Sequence, residues 1–269
     1  MTLKLVFVGG GKMGEALIGG LIARSWCQPS ELGIVELSEQ RRSVLGALWP
    51  EVRFVSLDEV VNTDVVIAVK PQHVGDVAVA LAGNGIARVL SIAAGVTIQA
   101  LEAGLDSVEG DPVRVVRAMP NTPALVGAGA SAIAGGTAAG EEDVEWAANV
   151  LTSVGTVAVL EESKLDAVTG LSGSGPAYVF LVAEAMIAAG VAVGLSQADA
   201  DALARQTIMG AGRLLSESGE DPAQLRKNVT SPGGTTAEGL AVLEERGLRE
   251  AFAAAVAAAA ARSEELGAP

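Results

Sequence analysis

LKLVFVGGGKMG, residues 3–14, decides the fold of this chain. An apolar, β-branched run passes without polar alternation into three consecutive glycines, and MGEALIGGLIAR (13–24) follows with helical periodicity. A continuous apolar run is what a strand buried on both faces requires. Gly9, Gly11 and Gly14 fit G-x-G-x-x-G. In a chain with 33 glycines that pattern arises readily by chance, but between a first strand and a first helix it is specific. The first glycine permits the tight turn, the second lets the backbone approach a pyrophosphate, and the third lets helix and strand pack closely. The helix N-terminus adds free N–H groups and the positive end of its dipole. Val8, Gly9, Gly10, Gly11, Lys12, Met13 and Gly14 are therefore read as a dinucleotide cradle.

Outward from this stretch, short Val/Ile-rich runs alternate with helical ones as far as residue 160. Strands are expected at Leu3–Val8, Gly33–Glu36, Arg53–Val55, Val65–Val69, Val89–Ile92, Arg114–Ala118, Ser131–Ala134 and Val157–Leu160. Helices are expected at Met13–Arg24, Glu39–Leu48, Val74–Ala82, Ile98–Leu105 and Glu141–Ser153. Repeated β-α-β order predicts an α/β domain with a parallel sheet and right-handed crossovers. Beyond Glu161–Lys164 only helices are expected: Pro176–Val193, Gln197–Ser218, Pro222–Asn228, Thr236–Arg246 and Arg249–Leu266. Ser174, ahead of Pro176, reads as an N-cap. Tyr178–Leu195 is apolar except for Glu184 and is read as a buried helix rather than a membrane span. A domain of about 105 residues struggles to cover such a helix alone, which predicts an interlocked homodimer.

Composition narrows the function. Acidic residues number 32 against 18 basic ones, a net charge of −14, so neither nucleic acid nor an anionic membrane surface is an expected partner. Backbone amides still bind small anions without net positive charge. One cysteine, Cys27, and one histidine, His73, make a zinc site, a Ser-His-Asp triad or a disulfide improbable. Residues 1–8 are too short for a signal peptide, and a cytoplasmic location is expected.

Further candidates sit at expected strand ends. Glu36 stands where an acidic residue binds the adenosine ribose 2′-hydroxyl and favours NADH over NADPH. Ser38, Arg41 and Arg42 follow closely and offer a 2′-phosphate an alternative, unless the arginines are only a solvated helix face. Ala68, Val69, Lys70 and Pro71 end another strand, with Lys70 either facing the ribose or phosphates or lying on the surface. His73 reads as a polar cap. Asn121, between two prolines, is a candidate for the substrate or nicotinamide pocket. Tyr178 reads as core.

FVGGGKMG (7–14), AVKP (68–71), SIAAGVT (91–97), RAMPNTP (117–123), LSGSGPAY (171–178) and SPGGTT (231–236) together resemble the pyrroline-5-carboxylate reductases, in the right order over nearly the whole chain. LSGSGPAY and SPGGTT carry the specificity. Glu36 departs from the smaller polar residue expected there, and so dissents from the family's usual NADPH preference. The resemblance implies a Rossmann domain at 1–162 and a helical dimerisation and substrate-binding domain at 163–269. It also implies NAD(P)H-dependent reduction of 1-pyrroline-5-carboxylate to L-proline, the last step of proline biosynthesis, by a homodimer and often a decamer of five dimers.

The residues suit that chemistry. Before a helix, the N–H groups of Gly233, Gly234, Thr235 and Thr236 can converge on a carboxylate, with Ser231 adding a hydroxyl. The resemblance places Thr236 near the imine nitrogen, where its weakly acidic hydroxyl orients the ring while the imine arrives protonated or takes its proton through water. The Ser172–Pro176 turn is expected near the nicotinamide. Two other readings stand beside this one. A 3-hydroxyacid dehydrogenase would use a lysine relay on the long helix, but no Lys occurs between Lys164 and Lys227. A non-catalytic dinucleotide-binding dimer would have no need of an intact SPGGTT.

Overall fold

The structure, a computed structural model, describes residues 3–106 and 111–267. The first two residues of the opening run and the last two of the expected second domain lie outside these. Eight strands form one sheet: β1 (Leu5–Val8), β2 (Leu32–Val35), β3 (Arg53–Phe54), β4 (Asp64–Ile67), β5 (Arg88–Ser91), β6 (Arg114–Met119), β7 (Gly129–Gly135) and β8 (Gly155–Val159). The helices are α1 (Lys12–Ala23), α2 (Glu39–Leu48), α3 (Val74–Leu81), α4 (Ile98–Leu105), α5 (Glu141–Leu151), α6 (Leu165–Val168), α7 (Gly175–Ala192), α8 (Gln197–Glu217), α9 (Pro222–Asn228), α10 (Thr235–Glu245) and α11 (Leu248–Gly267). Each expected strand and helix has its counterpart, displaced by a few residues at most.

Strand order is β3-β2-β1-β4-β5-β6-β7-β8. Along β1, Leu5 and Phe7 enter the core on one face of the sheet, Val6 and Val8 the core on the other. That two-sided burial is why the run lacks polar alternation. Phe7, Leu17, Ile18 and Leu21 are fully buried, each burial worth roughly 1.5–3 kcal/mol.

The sheet is not wholly parallel, contrary to the expectation from repeated β-α-β order. β6 and β7 pair antiparallel, and β8 runs parallel to β7. The connection from β6 to β7 holds only a 3₁₀ turn, Thr122–Val126. A parallel crossover needs about a dozen or more residues, so this short link makes the chain double back.

By contacts the chain divides into two compact units, Met1–Ser174 with Ala257–Pro269, and Gly175–Val256. The residues just after 162, expected in the helical domain, thus belong with the sheet. Leu165 is fully buried with Ile98, Ala132 and Ala134. Glu162 accepts from the Ile98 N–H at 2.7 Å and pairs with buried Arg117 at 2.8 Å. The Ser263 hydroxyl donates to Asp166 at 2.6 Å.

The second unit is helical, and among its residues only Ala200 and Ala204 are buried. α7 is apolar except for Glu184, yet none of its residues is buried; Phe180 and Leu181 remain 62% and 65% exposed. The burial expected for this helix is therefore absent within one chain. The helical stretch Glu162–Ala192 is long and apolar enough, by length and composition, to cross a membrane. Tyr178 is not core either: it is half-buried, edge-on to Phe252 at 6.3 Å between ring centroids.

Candidate active site

Register places Val8 beside Val35 and Ile67, so Gly9, Glu36 and Ala68 stand together at the carboxyl ends of three neighbouring strands. The chain direction across the sheet reverses between β1 and β4, and ligands of open α/β sheets bind at that crevice. Gly9 has φ +110° and donates to the Val35 carbonyl at 2.9 Å; a Cβ there would lie 2.6 Å from the Ala68 carbonyl oxygen. A Cβ on Gly14 would lie 2.6 Å from the Gly9 oxygen. Around Gly11, by contrast, a Cβ would meet nothing within 4 Å. Gly11 precedes α1, which no side chain caps. Bare N–H groups below an open surface fit a dinucleotide pyrophosphate.

Gly10 has a different role, one the motif does not announce. Its N–H donates to Glu36 Oε2 at 2.9 Å, and the Ser38 N–H donates to Glu36 Oε1 at 2.8 Å. A Cβ on Gly10 would sit 3.0 Å from that carboxylate and 2.6 Å from Leu45. The Ser38 hydroxyl caps α2, accepting from the Arg41 N–H at 3.3 Å. Arg41 is not a plain solvated residue: its Nε donates to the Gly10 carbonyl at 2.9 Å and its Nη2 to Glu15 at 2.7 Å. The Arg41 guanidinium holds the Glu15 carboxyl below its ordinary range. Arg42 lies over the Phe54 ring at 5.3 Å.

Lys70 and Pro71 are exposed where β4 gives way to a 3₁₀ turn, Pro71–His73, while Ala68 and Val69 are half-buried. His73 makes no capping bond, so the polar-cap reading does not hold.

Asn121 is 8% exposed and both ends of its amide are engaged. Its Oδ1 accepts from the Ala130 N–H at 2.8 Å and its Nδ2 donates to the Ser172 carbonyl at 3.0 Å. Here the SGSG segment differs from the expected capped turn. Thr169–Gly173 forms a π-helical turn, closed by the Ser174 N–H donating to Thr169 at 2.8 Å. Ser174 itself is helical (φ −83°, ψ −20°), so it joins two helices instead of capping one. Such turns break the regular helical ladder and recur at functional sites.

In the second unit, Pro232 and Gly233 form a tight turn, with Gly233 at φ +67° and the Gly234 N–H donating to the Ser231 carbonyl at 3.0 Å. α10 begins at Thr235, one residue earlier than expected, with Gly234 in the extended cap position and no side-chain cap. The Gly234 N–H is thus spent on the turn, while α10 starts without a side-chain cap on its first N–H groups. Ser231, Thr235 and Thr236 are exposed. Among the described residues no group of three or more His, Cys, Asp or Glu side chains could hold a metal ion.

Similarity to known proteins points to one family. The family model described as pyrroline-5-carboxylate reductase dimerisation matches residues 162–266. A second, NADP oxidoreductase coenzyme F420-dependent, matches residues 4–103. The chain is 45% identical to the pyrroline-5-carboxylate reductase of Synechocystis, over 99% of both chains. Its structure is similar to that of the enzyme from Coxiella burnetii, with TM-score 0.89, 34% identity and full coverage of both chains. It is also similar to the Plasmodium falciparum enzyme with NADP bound, with TM-score 0.84, 31% identity and coverage of 99% and 98%.

Proposed function

We infer the working of the site from one premise: the chain belongs to the pyrroline-5-carboxylate reductase family, and it reduces 1-pyrroline-5-carboxylate to L-proline. When bound, the nicotinamide cofactor supplies the hydride that reaches the imine carbon. The protein's own part is to hold two anionic ligands with backbone donors. Within the cradle Val8, Gly9, Gly10, Gly11, Lys12, Met13 and Gly14, the uncapped first turn of α1 offers its N–H groups to the pyrophosphate across the open face at Gly11, while Gly9 and Gly10, their own N–H groups spent on Val35 and Glu36, shape the turn. Glu36 and Ser38 border the adenosine ribose, and Ala68, Val69, Lys70 and Pro71 edge the same crevice.

The substrate carboxylate is assigned to the start of α10, where Gly233, Thr235 and Thr236 offer N–H groups and the Ser231 hydroxyl is adjacent. Helix-end attraction of about 0.3–1 kcal/mol on an exposed helix, more once water is excluded, lets an acidic protein hold an anion. Thr236 orients the ring and hydrogen-bonds the imine nitrogen. A protonated imine already accepts hydride well, which suits a site without a strong general acid. Asn121, tied at both ends, serves by fixing the π-helical turn instead of touching substrate.

The assembly is read as a homodimer in which a second copy covers α7, with five dimers forming the decamer that the resemblance suggests. The match to a dimerisation family model and the unburied apolar helix support the dimer. Reduction by NADH or NADPH in the cytoplasm fits a chain whose lone Cys27 is a free thiol. The observation that carries the reaction is the uncapped turn ahead of α10. The experiment mixes enzyme, imine and either dinucleotide and follows the nicotinamide absorbance. Proline should form; folded protein giving none with either cofactor overturns the reading. Light scattering should find no monomer at micromolar concentration.

A further inference from the structure

We propose that Glu15 sets the dinucleotide preference by tethering Arg41, which is otherwise the cation available to a 2′-phosphate. This rests on the reading that the glycine loop carries NAD(P)H, and it names the residue that tunes the choice.

Arg41 stands in the first turn of α2, directly after β2, where the adenosine ribose of a dinucleotide meets an α/β sheet. An arginine there is the usual partner of the extra phosphate that distinguishes NADPH. In this chain Arg41 is already engaged. Its Nε and Nη2 hold the Gly10 carbonyl, and Nη2 also pairs with Glu15 at 2.7 Å. Both side chains are only about a quarter exposed, at 24% and 23%, so water screens the pair incompletely. Lys12, 3.5 Å from Glu15 and 74% exposed, is too solvated to take Arg41's place.

On the other side of the loop, Glu36 spends both carboxylate oxygens on the Gly10 and Ser38 N–H groups. It is a fixed negative charge at the ribose end. A 2′-phosphate therefore meets one anchored carboxylate and one cation neutralised by another. A 2′-hydroxyl faces no such conflict, since it needs only an acceptor. Glu36 thus opposes the phosphate directly, and Glu15 opposes it by occupying the group that would receive it. Glu15 is a positioning residue: it acts through Arg41.

The test is calorimetric titration of the full-length enzyme with NAD⁺ and NADP⁺, which needs no substrate. Glu15→Gln keeps shape and removes charge. It should tighten NADP⁺ about tenfold, the scale of one charge-assisted bond regained, and leave NAD⁺ within about twofold. Glu15→Gln/Arg41→Gln should lose that gain. Equal changes for both dinucleotides would mean that Glu15 only shapes the loop, and would overturn the proposal. So would no change in either, or a gain that survives loss of Arg41. Proline formation measured on the same samples separates the two readings: turnover without a shifted preference sinks the tether alone, whereas binding without turnover sinks the assigned reaction.

Discussion

The Asn121 side-chain amide donates to the Ser172 carbonyl at 3.0 Å, joining the loop after β6 to a π-helical turn 51 residues later. The same amide accepts from Ala130, so one side chain stitches three segments together. Removing it leaves partly buried backbone groups without partners, at about 1–3 kcal/mol for each group stranded. Asn121→Ala should therefore lower the urea midpoint by a stability loss of at least about 1 kcal/mol. An unchanged midpoint would show that water replaces the amide at no cost.

The glycines of the cradle should separate stability from binding. Gly14→Ala drives a methyl into the Gly9 carbonyl oxygen, backbone that cannot swing aside. It should be destabilised by about 1–3 kcal/mol, as overpacked sites are. Gly11→Ala meets no protein atom and has an extended backbone that alanine accepts. Its melting temperature should match the parent's while its dinucleotide affinity drops at least about tenfold, the methyl standing where the pyrophosphate approaches. Parent-like affinity in Gly11→Ala would place the cofactor elsewhere.

Thr236→Ala should reduce kcat by about 10²-fold, in the range seen when a positioned hydrogen-bonding group is lost. Cofactor affinity should change little, because Thr236 is exposed on α10 and has no part in the glycine loop. Parallel loss of affinity and turnover in steady-state and binding measurements would assign the residue to the fold instead.

Protonation should act on stability at both ends of the pH scale. The hydrogen bond from Arg41 holds the Glu15 carboxyl below its ordinary value. Its contribution is complete above the ordinary carboxylate pKa and is lost as pH falls through the depressed folded value. Arg41→Gln should flatten that acid limb of a denaturation series, and an identical limb would mean the pair contributes nothing. Burial raises the Cys27 thiol. Its contribution is intact below the ordinary thiol pKa and fades as pH rises through the raised folded value. Native protein at mildly alkaline pH should accordingly react with a disulfide reagent far more slowly than unfolded protein.

Much of this was legible in the sequence. The strand–glycine–helix order, the two-sided burial of β1 and the helical second half all follow from periodicity over a few residues. The reversal of β7 was not legible: the expected strands leave residues 119–130 between them, enough for a parallel crossover, and only the observed strand ends shorten that link to 120–128. The π-helical turn was hidden because SGSGP matches the composition of an ordinary capped start. Glu15 was missed altogether, because nothing around GEAL marks it as a partner of α2.

Local pattern was enough to establish which segments are strands and helices, where the glycine turns lie and which family the chain joins, since propensity, capping and glycine geometry act within a turn or two of chain. Tertiary structure decided which groups meet: Glu36 with Gly10, Arg41 with Glu15, Asn121 with Ser172. Those pairs lie 26, 26 and 51 residues apart, and only the packing of β1 and α1 beside β2 and α2, and of α6 with its π-helical turn against β6 and β7, sets the distances between them. A hydrogen bond demands about 3 Å, and no local rule carries that accuracy across so much chain.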